Sequence, residues 1–317
     1  MDGNDKDGDF GNSFHGNLLS PAHETAMTSE LEFIKALRAI ATHPAARGLL
    51  DDCAVLEVGG ETLVLTHDMM VEGTHYLRGA DMADVAWKLV ACNLSDLAAK
   101  GAEPLGVLIG HMLGDDDADF ISGLKDVLAH YNVPLLGGDS VSGSGPRSHG
   151  LTAIGRATHV PVPSRSGARP GDALYVTGAL GAAMMGFEAL RAGSGADASA
   201  YLRPMARLAE GQLLAGEVTA MMDISDGLLL DAFRMAEASH VSLSIESRLV
   251  PIDAPQERRS DALVWGDDYE LLFTLPGGTA PPVPATRIGM AEIRGFAPLF
   301  LDGEALINAD GLGYSHN

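Results

Sequence analysis

Aspartate recurs in this chain at places where a strand would end or a helix begin. Asp51-Asp52 opens a β-like run, Thr66-His67-Asp68 closes one, and Asn93-Leu94-Ser95-Asp96 lies in a helical stretch. Gly137-Gly138-Asp139 follows an apolar strand, Asp223-Ile224-Ser225-Asp226-Gly227 joins a strand to a helix, and Gly266-Asp267-Asp268-Tyr269 precedes a strand. Carboxylates at strand ends are where an α/β site gathers its ligands. Brought together they would repel one another unless cations bridged them. Magnesium suits the pattern, because it takes hard oxygen ligands and shares them with water and phosphate. Any one of these aspartates also suits a helix cap or turn, where Asp bonds to local backbone; six such places in one chain shift the reading toward a metal centre. Gly137-Gly138 and the turn Thr177-Gly178-Ala179-Leu180-Gly181 offer backbone amides of the kind that bind phosphate oxygens.

Other chemistries find little support. There is no G-x-x-x-x-G-K-[ST], no G-x-G-x-x-G after a strand, no G-x-S-x-G and no H-E-x-x-H. Two cysteines, Cys53 and Cys92, make neither a disulfide framework nor a zinc site, and Asp52 beside Cys53 disfavours a thiolate. The chain carries 43 acidic and 21 basic residues, a formal charge of −22. Phosphate backbones and anionic lipids would repel it, so neither nucleic acid nor a membrane is an expected partner. With no apolar run long enough to span a bilayer, the expectation is a cytoplasmic protein.

The elements that must position these residues alternate between strands and helices in both halves, which predicts α/β or α+β layers. Residues 1–26 are rich in Gly, Asn and Asp, carry five acids against one lysine, and are expected to be a disordered extension. Leu31, Ile34, Leu37 and Ile40 predict a helix capped by Thr28 or Ser29. Strands are expected at 53–58, 62–66, 105–112, 133–136 and 151–157, with helices at 84–100 and 119–131. The proline-rich segment 161–171 is the candidate interdomain linker, giving domains 27–160 and 161–317. Beyond it, strands are expected at 173–177, 219–222, 241–245 and 270–275, with helices from the Gly178–Gly181 turn to 192 and over 227–238. Residues 276–286 read as a surface loop.

In order along the chain, DDCAVL (51–56), THDMMVEGTHYL (66–77), WKLVACNLSDLAAKGAEPLG (87–106), LLGGDS (135–140), SRSGARPGDALYVTGALG (164–181), YLRPMARLAEG (201–211), MDISDGLLLDA (222–232) and WGDDYELLF (265–273) resemble the thiamine-monophosphate kinase family, of the superfamily that includes aminoimidazole ribonucleotide synthetase. The resemblance covers about 29–314. It implies a two-domain aminoimidazole ribonucleotide synthetase-like fold whose N-terminal domain forms a homodimer through its sheet. It also implies ATP-dependent phosphorylation of thiamine monophosphate to thiamine diphosphate, assisted by several Mg²⁺ ions. By motif position, Asp52, Thr66, His67, Asp68, Asp96, Asp139, Asp223 and Asp226 are the implied metal ligands. Gly138, Asp139, Arg165 and Ser225 fall where the family holds ATP, and His75, Asp267 and Tyr314 are implied substrate contacts. Asp52, Asp68, Asp96, Asp223 and Asp226 would act through the metal, with no general base. The alternatives are an amidine-forming member of the same superfamily, or a non-catalytic nucleotide-binding regulator; the retained aspartates argue against the latter.

The chain departs from the family pattern at Leu50, His67, Ala182, Trp265 and Asp267, where Gly, Thr, Asp, Gly and Glu are usual. Near Gly311 the family has an aromatic, and Tyr314 is the candidate to take its place.

Overall fold

The computed structural model describes residues 30–314; the expected extension 1–26 and the Thr28/Ser29 cap lie outside the described residues. The chain begins with helix α1 (Glu30–Arg38) and then builds β1 (Ala54–Val58), β2 (Glu61–Val71), α2 (Met82–Ala99), β3 (Ala102–Met112), α3 (Asp117–Tyr131), β4 (Leu135–Val141) and β5 (Ser148–Ala157). These strands form one mixed sheet in the order β1-β2-β5-β3-β4, antiparallel except for β3 beside β4. No helix or strand occupies residues 158–172.

A second sheet follows, built from β6 (Ala173–Val176), β7 (Ala220–Asp223), β8 (Val241–Ile245), β9 (Leu271–Leu275), β10 (Thr286–Ile293), β11 (Leu299–Leu301) and β12 (Glu304–Leu306). Its order is β12-β11-β8-β10-β6-β9-β7. Helices α4 (Ala182–Ala192), α5 (Ser199–Leu202), α6 (Leu208–Leu214), α7 (Leu228–Ser239) and α8 (Arg259–Val264) are interspersed. The layered α/β expectation holds, although both sheets are mixed rather than parallel. Among the described residues, no helix is long and apolar enough to cross a membrane.

The hub is α2. Asp81 caps it, its carboxylate accepting the Ala83 N–H at 2.8 Å. The helix is apolar almost all round, which is the signature of burial on every side. Leu89, Val90 and Leu94 belong to the core under the first sheet, whereas Ala98 and Ala99 join Leu214, Met221 and Phe273 in a core shared with the second. One helix therefore carries residues from the first sheet into the seam between the two.

Two strands run further than the sequence pattern suggests. β2 continues to Val71, so Asp68 lies within a strand rather than at its end. β4 spans Leu135–Val141, so Gly137-Gly138-Asp139 is strand rather than a loop after one. The glycine there serves close packing: a Cβ on Gly138 would stand 2.0 Å from the Ile109 carbonyl oxygen.

Candidate active site

The two halves enclose a cleft of about 630 Å³. Asp51, Asp52, Asp68, Asp96, Asp223, Asp226 and Asp267 line it, together with Arg165, Ser225, His75 and Lys88. Asp52, from the turn before β1, Asp96, from α2, and Asp223, at the end of β7, each offer a carboxylate oxygen within 4.8 Å of the other two. Three carboxylates so close form a hard-oxygen donor set of the kind that holds Mg²⁺ or Ca²⁺.

The electrostatics of these groups match that reading. Burial, with the charges of Asp68, Asp223 and Asp52 adding to it, pushes the Asp96 carboxyl well up. Burial and the Asp52 charge push Asp223 up to about 7. Asp68 is pushed up to about 6 by burial and by Asp52 and Asp226, against the pull of His67. Burial and mutual repulsion outweigh the pull of His67 on Asp68 and of Arg165 on Asp223, an excess of negative charge that a divalent ion would relieve.

Hydrogen bonds fix the cluster in place. Ser95 Oγ donates to Asp223 at 2.7 Å, Thr66 Oγ1 donates to Asp96, and the Asp68 N–H donates to Asn93 Oδ1 at 3.0 Å. On the other side of Asp52, fixed cations neutralise the paired aspartates. Lys100 Nζ, wholly buried, lies 2.5 Å from Asp51 and 2.6 Å from Asp52. Arg47 reaches Asp51 at 2.5 Å, and Arg165 Nε donates to Asp52 at 2.6 Å. Burial alone would raise the Asp51 carboxyl, but Lys100 and Arg47 hold it far below the usual carboxylate range.

The turn after β7 is organised from within. The Ser225 and Asp226 N–H groups donate to Asp231 of α7 at 3.2 and 3.1 Å, and Arg234 bridges Asp226 and Asp231 at 2.5 and 2.9 Å. The loop bearing Asp267 closes against this turn, with the Asp267 N–H on the Ser225 carbonyl at 2.9 Å. Asp267 and Tyr269 both take positive φ, 66° and 52°, a conformation that costs a non-glycine residue about 1 kcal/mol or more. Their side chains justify it: Asp267 accepts from Lys88 at 2.8 Å and from Tyr269 at 2.9 Å.

Two family models match the chain, the AIR synthase related protein N-terminal domain over residues 50–157 and the C-terminal domain over 169–284. The thiamine-monophosphate kinase of Escherichia coli K12 is 36% identical over 305 residues, covering 85% of this chain and 91% of the relative. That of Halobacterium salinarum is 34% identical, covering 84% and 94%. This chain belongs to the thiamine-monophosphate kinase family. Among solved structures, AaThiL complexed with AMPPCP and TMP superposes with a TM-score of 0.81 at 29% identity, covering 91% of this chain and 97% of that one. Thiamine monophosphate kinase from Aquifex aeolicus gives 0.76 at 29% identity, covering 87% and 98%.

Within this family member, the cleft gathers most of the residues singled out in the sequence: Asp52, Asp68, Asp96, Asp223, Asp226, Arg165, Ser225, His75, Asp267 and Tyr314. Thr66 reaches it through Asp96. His75 Nδ1 accepts the Val71 N–H at 3.0 Å, which leaves Nε2 as the proton-bearing nitrogen of the neutral ring. Three expected residues are not brought in. His67 alternates with Thr66 and Asp68 along β2, so its side chain points to the opposite face, where it meets Thr152 at 2.9 Å. Gly138 and Asp139 lie on exposed β4. Asp68 pairs with Leu151, Leu151 with Ile109 and Ile109 with Gly138; three strand spacings amount to roughly 14 Å.

The Gly178–Gly181 turn is not an open anion site. A Cβ on Gly178 would meet the Glu270 carboxylate at 2.1 Å. That carboxylate accepts from Thr177 Oγ1 at 2.6 Å and pairs with Arg207, while the Gly181 N–H donates to Asp268 at 2.9 Å. Thr177 Oγ1 and the Gly181 N–H are thus spent on the protein's own acids, and the Leu180 N–H on the Pro251 carbonyl at 3.0 Å.

Sequence reasoning quoted the segments that hold Lys88, Asn93, Ser95, Lys100 and Tyr201 but assigned none of these residues a role. A signal for one of them existed: Lys88, Cys92 and Asp96 are spaced four apart, hence on one helical face, and all three line the cleft. Both cysteines are buried, and burial pushes their thiols well up, so neither is a nucleophile.

Proposed function

We propose that this chain transfers the γ-phosphoryl group of ATP to the phosphate of thiamine monophosphate, giving thiamine diphosphate and ADP. The observation that carries the reading is the Asp52, Asp96 and Asp223 cluster, three carboxylates within 4.8 Å facing a cleft that also presents Arg165, Ser225 and His75. Family membership and the likeness to a relative complexed with AMPPCP and TMP support the choice of substrates.

Asp52, Asp68, Asp96, Asp223 and Asp226, with Thr66 behind Asp96, would hold Mg²⁺; when bound, such ions neutralise the triphosphate and the acceptor phosphate, two anions that otherwise repel. Arg165, held by Asp52 through Nε and Nη2, would add a fixed positive charge for the phosphates, and Ser225 of the same cleft would serve the nucleotide. The acceptor oxygen belongs to a phosphate already ionised at neutral pH, so no side chain need remove a proton. His75, through Nε2–H, and Lys88 would orient that phosphate for in-line attack. Retention of configuration at the transferred phosphorus would overturn direct transfer.

We place the first domain over residues 27–160 and the second over 161–317. The molecule would act as a homodimer through its first sheet, whose strands expose Met69, Leu108, Leu135, Leu136 and Val141 to solvent. Gly138 and Asp139 would then lie at the contact between copies, and their roles toward nucleotide and metal would depend on it. Sedimentation giving a monomer at micromolar concentration would refute the dimer.

The deciding assay is chromatography of thiamine diphosphate formed from thiamine monophosphate and ATP, with and without Mg²⁺. Mg²⁺-dependent product with one ADP per turnover is expected. Tight ATP binding without that product would overturn the reading and favour an amidine-forming relative.

A further inference from the structure

The cleft has two linings of different chemistry. One is carboxylate, described above. The other is aromatic: Phe187, Tyr201, Trp265 and Tyr314 border it alongside Met69 and Met70. The Trp265 ring lies 5.2 Å from Phe187 at 44°, and Phe187 lies 5.3 Å from Tyr201. The rings of this wall are not equally available. Lys88 Nζ already stands 3.8 Å over the Tyr201 ring, and Phe187 is covered by Trp265 and by Arg191 at 5.6 Å. Trp265 is half-buried in the concave surface.

Its position is fixed from both sides. Trp265 takes extended backbone at the end of α8, with φ −82° and ψ 141°, and its N–H donates to the Asp261 carbonyl at 3.0 Å. The next residue, Gly266, packs so closely that a Cβ would stand 2.2 Å from the Ser225 carbonyl oxygen. The Trp265 backbone is thereby held next to the Ser225–Asp226 turn, and the indole rests on Phe187. A large flat π-face, braced by a second ring and set among carboxylates, attracts a flat organic cation, and tryptophan does so best.

Resting on the phosphotransfer reading above, whose acceptor joins an anionic phosphate to a cationic thiazolium, we propose that Trp265 is a specificity-determining wall. It stacks on the cationic heteroaromatic portion of the acceptor, braced by Phe187, while the acceptor phosphate is directed to His75 and Lys88. The wall thus selects acceptors bearing a flat cation over simple phosphates.

The chain has two tryptophans, and the other, Trp87, donates its indole N–H to the Pro204 carbonyl at 3.1 Å outside the cleft. In full-length Trp87→Phe protein, Trp265 is the sole indole. Thiamine monophosphate should quench its fluorescence saturably, whereas inorganic phosphate should not. Trp265→Leu should raise KM for thiamine monophosphate by about 5- to 30-fold, the size of a partly desolvated cation–π contact, with KM for ATP and kcat little changed. Trp265→Phe, which keeps a ring, should recover most of that loss. Absence of quenching at saturating thiamine monophosphate, or a parallel rise in both KM values, would overturn the wall while thiamine diphosphate formation by the unmodified enzyme leaves the kinase reading intact. Failure of that enzyme to make thiamine diphosphate would instead remove the reading on which the wall rests.

Discussion

Lys100→Met is the most demanding test of how the acidic cluster is held. The Lys100 ammonium has no exposure and lies 2.5 Å from Asp51 and 2.6 Å from Asp52, whose side chains are 2% and 1% exposed. Removing one partner of a buried ion pair typically costs about 3–5 kcal/mol, because the remaining charge is stranded. Here each stranded carboxylate keeps one cation, Arg47 on Asp51 and Arg165 on Asp52. The loss should therefore fall at the lower end, near ~3 kcal/mol. Methionine matches the lysine stem in length, so cavity formation adds little. For a chain of this size that loss lowers Tm by roughly 4–5 °C.

The same change makes the cluster more negative next to the Asp52, Asp96 and Asp223 oxygens. An added divalent cation then has more repulsion to relieve in the variant than in the parent. Thermal unfolding followed by circular dichroism, with EDTA and with millimolar MgCl₂, separates the two effects. Lys100→Met should lose the larger Tm in EDTA and regain part of it in MgCl₂, with a greater Mg²⁺ increment than the parent shows. A Tm drop under about 2 °C would show that the buried ion pair is not what holds the pair of aspartates. Equal Mg²⁺ increments would refute the idea that the lysine and the metal answer the same negative charge.

Other substitutions probe separate parts of the structure. Asp68→Asn should abolish most turnover yet leave the metal-free fold as stable or up to about 3 kcal/mol more stable at pH 8, because the carboxyl raised from 3.8 to about 6 is charged at a cost there; near-normal turnover would remove Asp68 from the metal site. His149 is fully buried between His111 at 3.0 Å and Phe120, and burial, aided by the charges of His111 and Arg147 against those of Asp117 and Asp116, lowers it from 6.5 to about 4. The unfolded chain therefore takes up this proton first as pH falls. The stability it contributes above pH 6.5 is lost progressively down to about pH 4, roughly 3 kcal/mol in all. Urea midpoints for the parent should fall more steeply over that window than those of His149→Gln, and parallel profiles would count against the assignment. Gly211→Ala would place a Cβ 2.0 Å from the Ala98 carbonyl oxygen, where α6 meets α2, and calorimetry should register about 1–3 kcal/mol of overpacking.

How far the sequence carried the fold depends on the kind of signal each element gives. The length and apolarity of α2 made it legible nearly to its ends. Short elements such as α5, α6 and α8 were not, because four to seven residues hold too little periodicity to distinguish them from loop. The strands β10, β11 and β12 follow a proline-rich loop; β10 and β11 are defined by pairing with β8, which lies 40 or more residues earlier, and β12 by pairing with β11. β4 was cut short at Gly137-Gly138 because a glycine pair ordinarily marks a turn. The reason for glycine, the Ile109 carbonyl on the neighbouring strand, exists only after β3 and β4 have paired.

The site divides along the same line. Its aspartates were legible because they sit in compact motifs, but the groups that hold them are distant in sequence. Ser95 meets Asp223 from 128 residues away, and Lys88 meets Asp267 from 179. Periodicity says only that Lys88, Ser95, Asp96 and Lys100 share a helix. It does not say that this helix is the seam between two sheets, or that two of its lysines are buried as counterions. Once α2 is placed there, binding and folding become one problem. The helix that packs the two halves together also supplies Asp96 to the cluster, Ser95 to Asp223 and Lys88 to Asp267, and its C-cap Lys100 reaches Asp51 and Asp52. A shift of the seam therefore moves the carboxylate lining and the Asp267 loop together. Variants such as Gly211→Ala, remote from the cleft, should alter the metal dependence of turnover and not stability alone.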